Sequence, residues 1–181
     1  MVKIIQKENK ILRKNASDIP PLEIPSLKIK TIISDMKKAL SLEKDGVAIA
    51  APQIGLSFRI FIVASKVFSI GKKNPSKEKT AKSDPKIKND MVFINPKLVK
   101  ISKDKGWMEE GCLSVRHFYG RVERAKKVRV RAYDEKGKVF EMGGSGLLAQ
   151  IFQHEIDHLN GVLFIDKAKD MIELETSNYE K

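Results

Sequence analysis

The chain has 181 residues, of which 41% are hydrophobic and 32% charged, with a formal net charge of +12 and a single cysteine, Cys112. That length and balance suit one catalytic domain over 1–181 and exclude a disordered polyelectrolyte or a disulfide-stapled scaffold. No apolar run reaches the roughly 18 residues of a membrane span. The opening Met1–Glu8 is too polar for a signal peptide, so a cytoplasmic protein without membrane contact is expected.

The first helix is expected from near Pro25 to about Glu43. Ile29, Ile32, Ile33, Met36 and Leu40 recur at i, i+3, i+4 and i+7, and Asp45-Gly46 ends the run. Gly46-Val-Ala-Ile-Ala-Ala-Pro-Gln53 follows, small and apolar with one amide at its end; such residues let a backbone or a ligand approach closely. Phe58–Ser65 reads as a strand apolar on both faces. Residues 66–90 hold eight lysines against three acids without periodicity and read as a surface loop insertion.

Met91–Asn95, Leu98–Ser102 and Trp107–Glu109 look like short strands. Arg121–Tyr133 alternates Val128, Val130 and Ala132 with Arg129 and Arg131, the pattern of a half-exposed strand, and Gly137 turns it into Val139–Met142. Between these lies Glu109-Glu110-Gly111-Cys112-Leu113-Ser114. There Cys112 has three possible roles: nucleophile, metal ligand or small core residue. The order of helix, strands and late helix predicts an α+β fold, with mainly antiparallel short sheets packed around a central C-terminal helix. A short polar tail is expected over 167–181.

That late helix carries Gln153-His154-Glu155-Ile156-Asp157-His158, which contains His-Glu-x-x-His. Four residues apart on a helix, His154 and His158 share one face one turn apart, so two imidazoles reach one metal ion, and Glu155 stands beside the first ligand as a proton carrier. Ser145 is the expected N-cap and Asn160-Gly161 the C-terminal stop. A catalytic ion commonly takes a third protein ligand. Phe164 occupies the place where one protease pattern has a third histidine, so the remaining candidates are Cys112, His117, Glu173 and Glu175.

Taken together, the segments at 46–53, 110–114 and 153–158 resemble, in order, the three signatures of peptide deformylase. The resemblance implies Cys112, His154 and His158 as ligands of Fe²⁺, which Zn²⁺, Ni²⁺ or Co²⁺ can replace. It implies Glu155 as the proton carrier, with the Gln53 amide and the Leu113 N–H as donors to the oxyanion. The substrate implied is the formyl-methionyl end of a nascent chain, hydrolysed to formate and a free amine. Val47, Ala48, Gly111, Leu147, Gln150 and Ile151 match substrate-pocket positions, and Glu110 and Arg124 match an ion pair bracing the cysteine turn. Two departures stand out: Ala48 replaces the second glycine of the first signature, and Gln150 replaces an apolar pocket residue.

Two other classes fit parts of this pattern: a small metallopeptidase with Glu173 as third ligand, and a basic ribosome- or RNA-binding protein without enzymatic activity. The basic runs over 66–90 and 121–131 suit transient ribosome contact, but no aromatic residues interleave with them as base stacking requires, so no sequence-specific nucleic-acid readout is expected. At Ala48 an extended backbone with negative φ is expected, since alanine at positive φ would be strained.

Overall fold

A computed structural model describes residues 2–72, 87 and 89–174. Among the described residues, two α-helices and eight strands form an α+β fold. Strands β1 (Ala48–Ala50), β2 (Ile60–Val63), β3 (Met91–Ile101), β6 (Lys127–Tyr133) and β7 (Val139–Ser145) make an antiparallel sheet in that order. Strands β4 (Lys105–Cys112), β5 (Val115–Ala125) and β8 (Lys169–Glu173) make a second, also antiparallel.

The larger sheet is sandwiched between the helices, which explains why its first strands are apolar on both faces. Helix α1 (Leu27–Ser41) buries Ile29, Ile32, Ile33, Met36 and Leu40 against Ile49, Ile60, Ile62, Val92 and Ile94. Side chains one residue along each strand point the other way, so Ala48, Ala50, Phe61, Val63 and Phe93 meet helix α2 (Leu147–Leu159). Helix α2 contributes Leu148, Ala149, Ile151, Phe152, Ile156 and Leu159 to that contact. Its Phe152 ring lies 5.2 Å from Phe93, which stacks on Phe61 at 4.5 Å. This face therefore holds α2 firmly; replacing a buried phenylalanine by alanine costs about 3–5 kcal/mol.

Several boundaries differ from the sequence reading, each for a physical reason. Helix α1 starts after Ser26, whose hydroxyl accepts the Ile29 N–H at 3.4 Å, so Pro25 precedes the cap. Met91–Ile101 is one strand whose register shifts after Ile94, where Asn95 has φ 50° and Pro96 lacks an N–H for the ladder. Arg121–Tyr133 is two strands in different sheets, parted at Lys126, which donates instead to Asp104 C=O at 3.0 Å.

Ser145 ends β7, and Gly146, at φ 55°, caps α2 in its place. The expected loop insertion begins with a 3₁₀ segment at Ser65–Lys72, in which Val67 and Phe68 are buried. Of that insertion, residues 73–86 and 88 lie outside the described residues. The polar tail is in part a strand: β8 pairs Phe118 with Glu173 and Tyr119 with Ile172. Among the described residues no helix is long and apolar enough to cross a membrane.

Candidate metal centre

Helix α2 presents His154 and His158 toward Cys112, the last residue of β4. A two-residue turn, Leu113-Ser114, joins Cys112 to Val115, and the Ser114 N–H points back at the sulfur, 3.4 Å away. Cys112 Sγ lies 3.2 Å from His158 Nε2, and one ligand atom from each of Cys112, His154 and His158 falls within 4.8 Å of the others. His117 and Glu173 are outside this cluster. His117 sits at φ 68° and its carbonyl accepts the Leu174 N–H; Glu173 is exposed on β8. Glu175 lies outside the described residues.

Behind the ligands runs a chain of charges, buried at Glu110 and Arg124 and reaching the surface at Lys167. His154 Nδ1 is 2.9 Å from Glu110 Oε2, a contact that leaves Nε2 for a metal. Glu110 in turn takes a two-pronged bond from Arg124, at 2.7 and 2.9 Å, and Arg124 also reaches Asp157 at 2.6 Å. Lys167 closes the chain on Asp157 at 2.7 Å. Burial works against the Glu110 charge, but hydrogen bonds from Arg124 and His154 outweigh it and hold its pKa at about 2. Asp157, Lys167 and Ser114 were not singled out from sequence; the ordinary acid inside the His-Glu-x-x-His segment was the available signal for the first.

Burial lowers the pKa of both histidines, and in His154 hydrogen bonds to Cys112 and Glu110 reverse the effect and raise it well above normal. In His158 burial and the charge on His154 act together and push it well below normal. Glu155 is lifted to about 7, first by burial, with His154 opposing. A carboxyl poised near neutrality both takes and returns a proton.

Gln53, 2% exposed, is the third residue of the 3₁₀ turn Ala51–Ile54 after β1. Its Oε1 accepts the Ala50 N–H at 2.8 Å, which aims Nε2 at Ser114 Oγ (3.2 Å) and Cys112 Sγ (3.6 Å). A cavity of about 610 Å³ opens beside these groups. All six expected pocket residues line it: Val47, Ala48, Gly111, Leu147, Gln150 and Ile151. Gln150 Nε2 donates across it to Glu109 C=O at 2.7 Å.

Ala48 is extended, as expected: it pairs with Val63 and is absent from the positive-φ residues. The Ala64 N–H donates to Val47 C=O, so residue 47 faces β2 and the backbone groups of Ala48 face the open edge of the sheet.

The donor set fits a divalent transition ion. A thiolate and two imidazoles are borderline-soft ligands of the kind that hold zinc or iron. Among the described residues, the buried atoms Glu155 Oε2 and His158 Nδ1 have no hydrogen-bond partner.

An α+β fold that brings a cysteine, two histidines and a glutamate to the end of one cleft defines a metal-dependent hydrolase. Residues 1–173 match the model of the polypeptide deformylase family, and the chain belongs to that family. It is 40% identical over 164 residues to peptide deformylase 1A, chloroplastic/mitochondrial, of Arabidopsis thaliana, covering 91% of this chain and 60% of that one. Identity to peptide deformylase 2 of Clostridium acetobutylicum is 36% over 166 residues, 91% and 93% of the two chains. A Met-Ala-Ser-bound class I type b peptide deformylase from Acinetobacter baumannii superposes with a TM-score of 0.75 at 34% identity, over 92% and 99% of the chains.

Proposed function

We propose that this protein removes the N-formyl group from the formyl-methionyl end of newly made polypeptides, releasing formate. The observation that carries the reading is the convergence of Cys112, His154 and His158 with Glu155 and Gln53 at one end of a cleft edged by β1. Cys112, His154 and His158 hold the ion, with Glu110 and Arg124 bracing the cysteine turn. We assign Fe²⁺, which Zn²⁺, Ni²⁺ or Co²⁺ can replace, because a thiolate with two imidazoles suits all four. Bound there, a divalent metal supplies Lewis acidity to water and to the formyl carbonyl.

The chain's own residues do the rest. Glu155 takes the proton of the attacking water and returns it to the departing amine. The Gln53 Nε2–H and the Leu113 N–H donate to the oxygen as it gains charge. The Ala48 backbone pairs with the substrate chain as an added strand would. Val47, Gly111, Leu147 and Ile151 surround the methionine side chain, with Gln150 as a polar rim. The Met-Ala-Ser bound by the Acinetobacter relative is what deformylation of formyl-Met-Ala-Ser would leave.

The site of action we propose is the cytoplasm, close to the ribosome. The exposed Lys97, Lys100, Lys127, Arg129 and Arg131 share one face of the larger sheet with a single acid, Glu141, which favours a polyanionic partner. The test of the activity is formate release from formyl-Met-Ala-Ser by protein purified without oxygen, with metal content measured on the same sample. Stoichiometric metal with no formate released would overturn the reading.

A further inference from the structure

The two oxyanion donors come from different sheets. Gln53 follows β1 of the larger sheet, and Leu113 lies in the β4–β5 turn of the smaller one. Neither ladder sets the distance between them. The Gln53 amide bridges to Ser114 Oγ through one of its two N–H groups, which ties the side chain to the turn but makes no bond to the Leu113 peptide.

One segment is bonded to both. The Ile5 N–H donates to Gln53 C=O at 2.9 Å, and Gln6 Nε2 donates to Leu113 C=O at 3.1 Å. A weaker contact joins Gln6 Nε2 to Ile4 C=O at 3.4 Å. The segment is itself anchored on both sides. Val2 and Ile4 pack against the same core as Leu113 and Ile54, and Ile5 packs, as Cys112 does, against the cluster that contains Leu12 and Val115. A held carbonyl resists rotation of its peptide plane, and the turn that presents the Leu113 N–H is only two residues long.

We infer that the Ile5–Gln6 strap sets the spacing of the two oxyanion donors, with Gln6 as a positioning residue for the Leu113 turn. Gln6 touches neither substrate nor metal ligand; it acts through Leu113. The inference rests on the oxyanion roles proposed above. Small displacements of a preorganised donor are costly, though less so than its removal.

The test compares wild type with Gln6→Met, which keeps length and loses the donor, and Gln6→Glu, which keeps shape and places an acceptor against the carbonyl. Expected for both is a fall in kcat of about 5- to 20-fold. KM and the affinity for the product Met-Ala-Ser should stay within about twofold, with metal stoichiometry and Tm unchanged. In a Gln53→Ala background Gln6→Met should cost much less, because the spacing of a pair no longer matters once one member is gone. Unchanged kcat, a loss that tracks metal or Tm, or full additivity with Gln53→Ala would each overturn the strap. A wild-type protein without deformylase activity overturns the proposed function and the strap together; an active wild type indifferent to Gln6 overturns the strap alone.

Discussion

Cys112 and Glu155 both line the cleft, and their proposed roles toward the metal predict different outcomes on substitution. Cys112 is the one thiol of the chain, beside two imidazoles. Cys112→Ala should leave a folded protein, because the side chain is half-buried and its removal opens little space, while metal content and activity fall sharply. Metal analysis checks this, and normal stoichiometry would remove Cys112 from the ligand set. Glu155 lies outside the cluster of Cys112, His154 and His158. Glu155→Gln keeps the volume and the buried position, so metal should remain while formate release drops about 10²-fold or more. Rapid turnover by the loaded variant would show that another group carries the proton. Removing metal with a chelator should abolish activity, and adding Fe²⁺ or Zn²⁺ should restore it.

Helix α2 is held in place by its C-terminus as well as its packed face. Val162 N–H returns to Asp157 C=O at 2.9 Å, and Gly161 takes φ 71° to allow it. A side chain at 161 would also lie 2.7 Å from the backbone of Arg13, which belongs to an N-terminal 3₁₀ turn, Lys10–Arg13. Gly161→Ala therefore meets two penalties, an unfavourable φ and a backbone clash, and should destabilise by about 2 kcal/mol or more. Because Asp157 and His158 lie in the last turn of α2, the same variant should weaken metal retention. Thermal unfolding with and without metal measures both effects; an unchanged Tm would mean that the N-terminal turn moves aside at no cost.

Across the whole molecule the charge is uneven in a way that folding does not require. Lys97 stands directly opposite Arg131, and Lys100 opposite Arg129, while Glu141 serves both arginines. Like charges facing each other across a sheet cost stability. A polyanion laid on this face would relieve that cost and release counterions. Binding to ribosomes or to a short single-stranded RNA should weaken steeply with salt, and the pair Arg129→Glu, Arg131→Glu should reduce it at low salt without changing formate release. Co-sedimentation over a salt series reads this out; binding that ignores both salt and substitution would leave these side chains as solvated surface.

Local pattern carried much of this protein. The i, i+4 spacing of His154 and His158 needs only a helix to bring two rings to one ion, and the spacing of Ile29, Ile32, Ile33, Met36 and Leu40 needs only a helix to make one buried face. The unbroken apolar run of Ile60–Val63 likewise fits a strand covered on both sides. What required the tertiary structure is whatever joins residues distant in sequence. In Arg121–Tyr133 the alternation lapses at Ala125-Lys126-Lys127, but such a lapse does not say that the two halves enter different sheets. The edge strand β8 is exposed along its length, so its composition reads as a tail. The chain of charges from His154 through Glu110, Arg124 and Asp157 to Lys167, and the strap from Gln6 to Leu113, have no sequence period at all. A periodic pattern records which side of an element is buried; only the fold decides which element covers it.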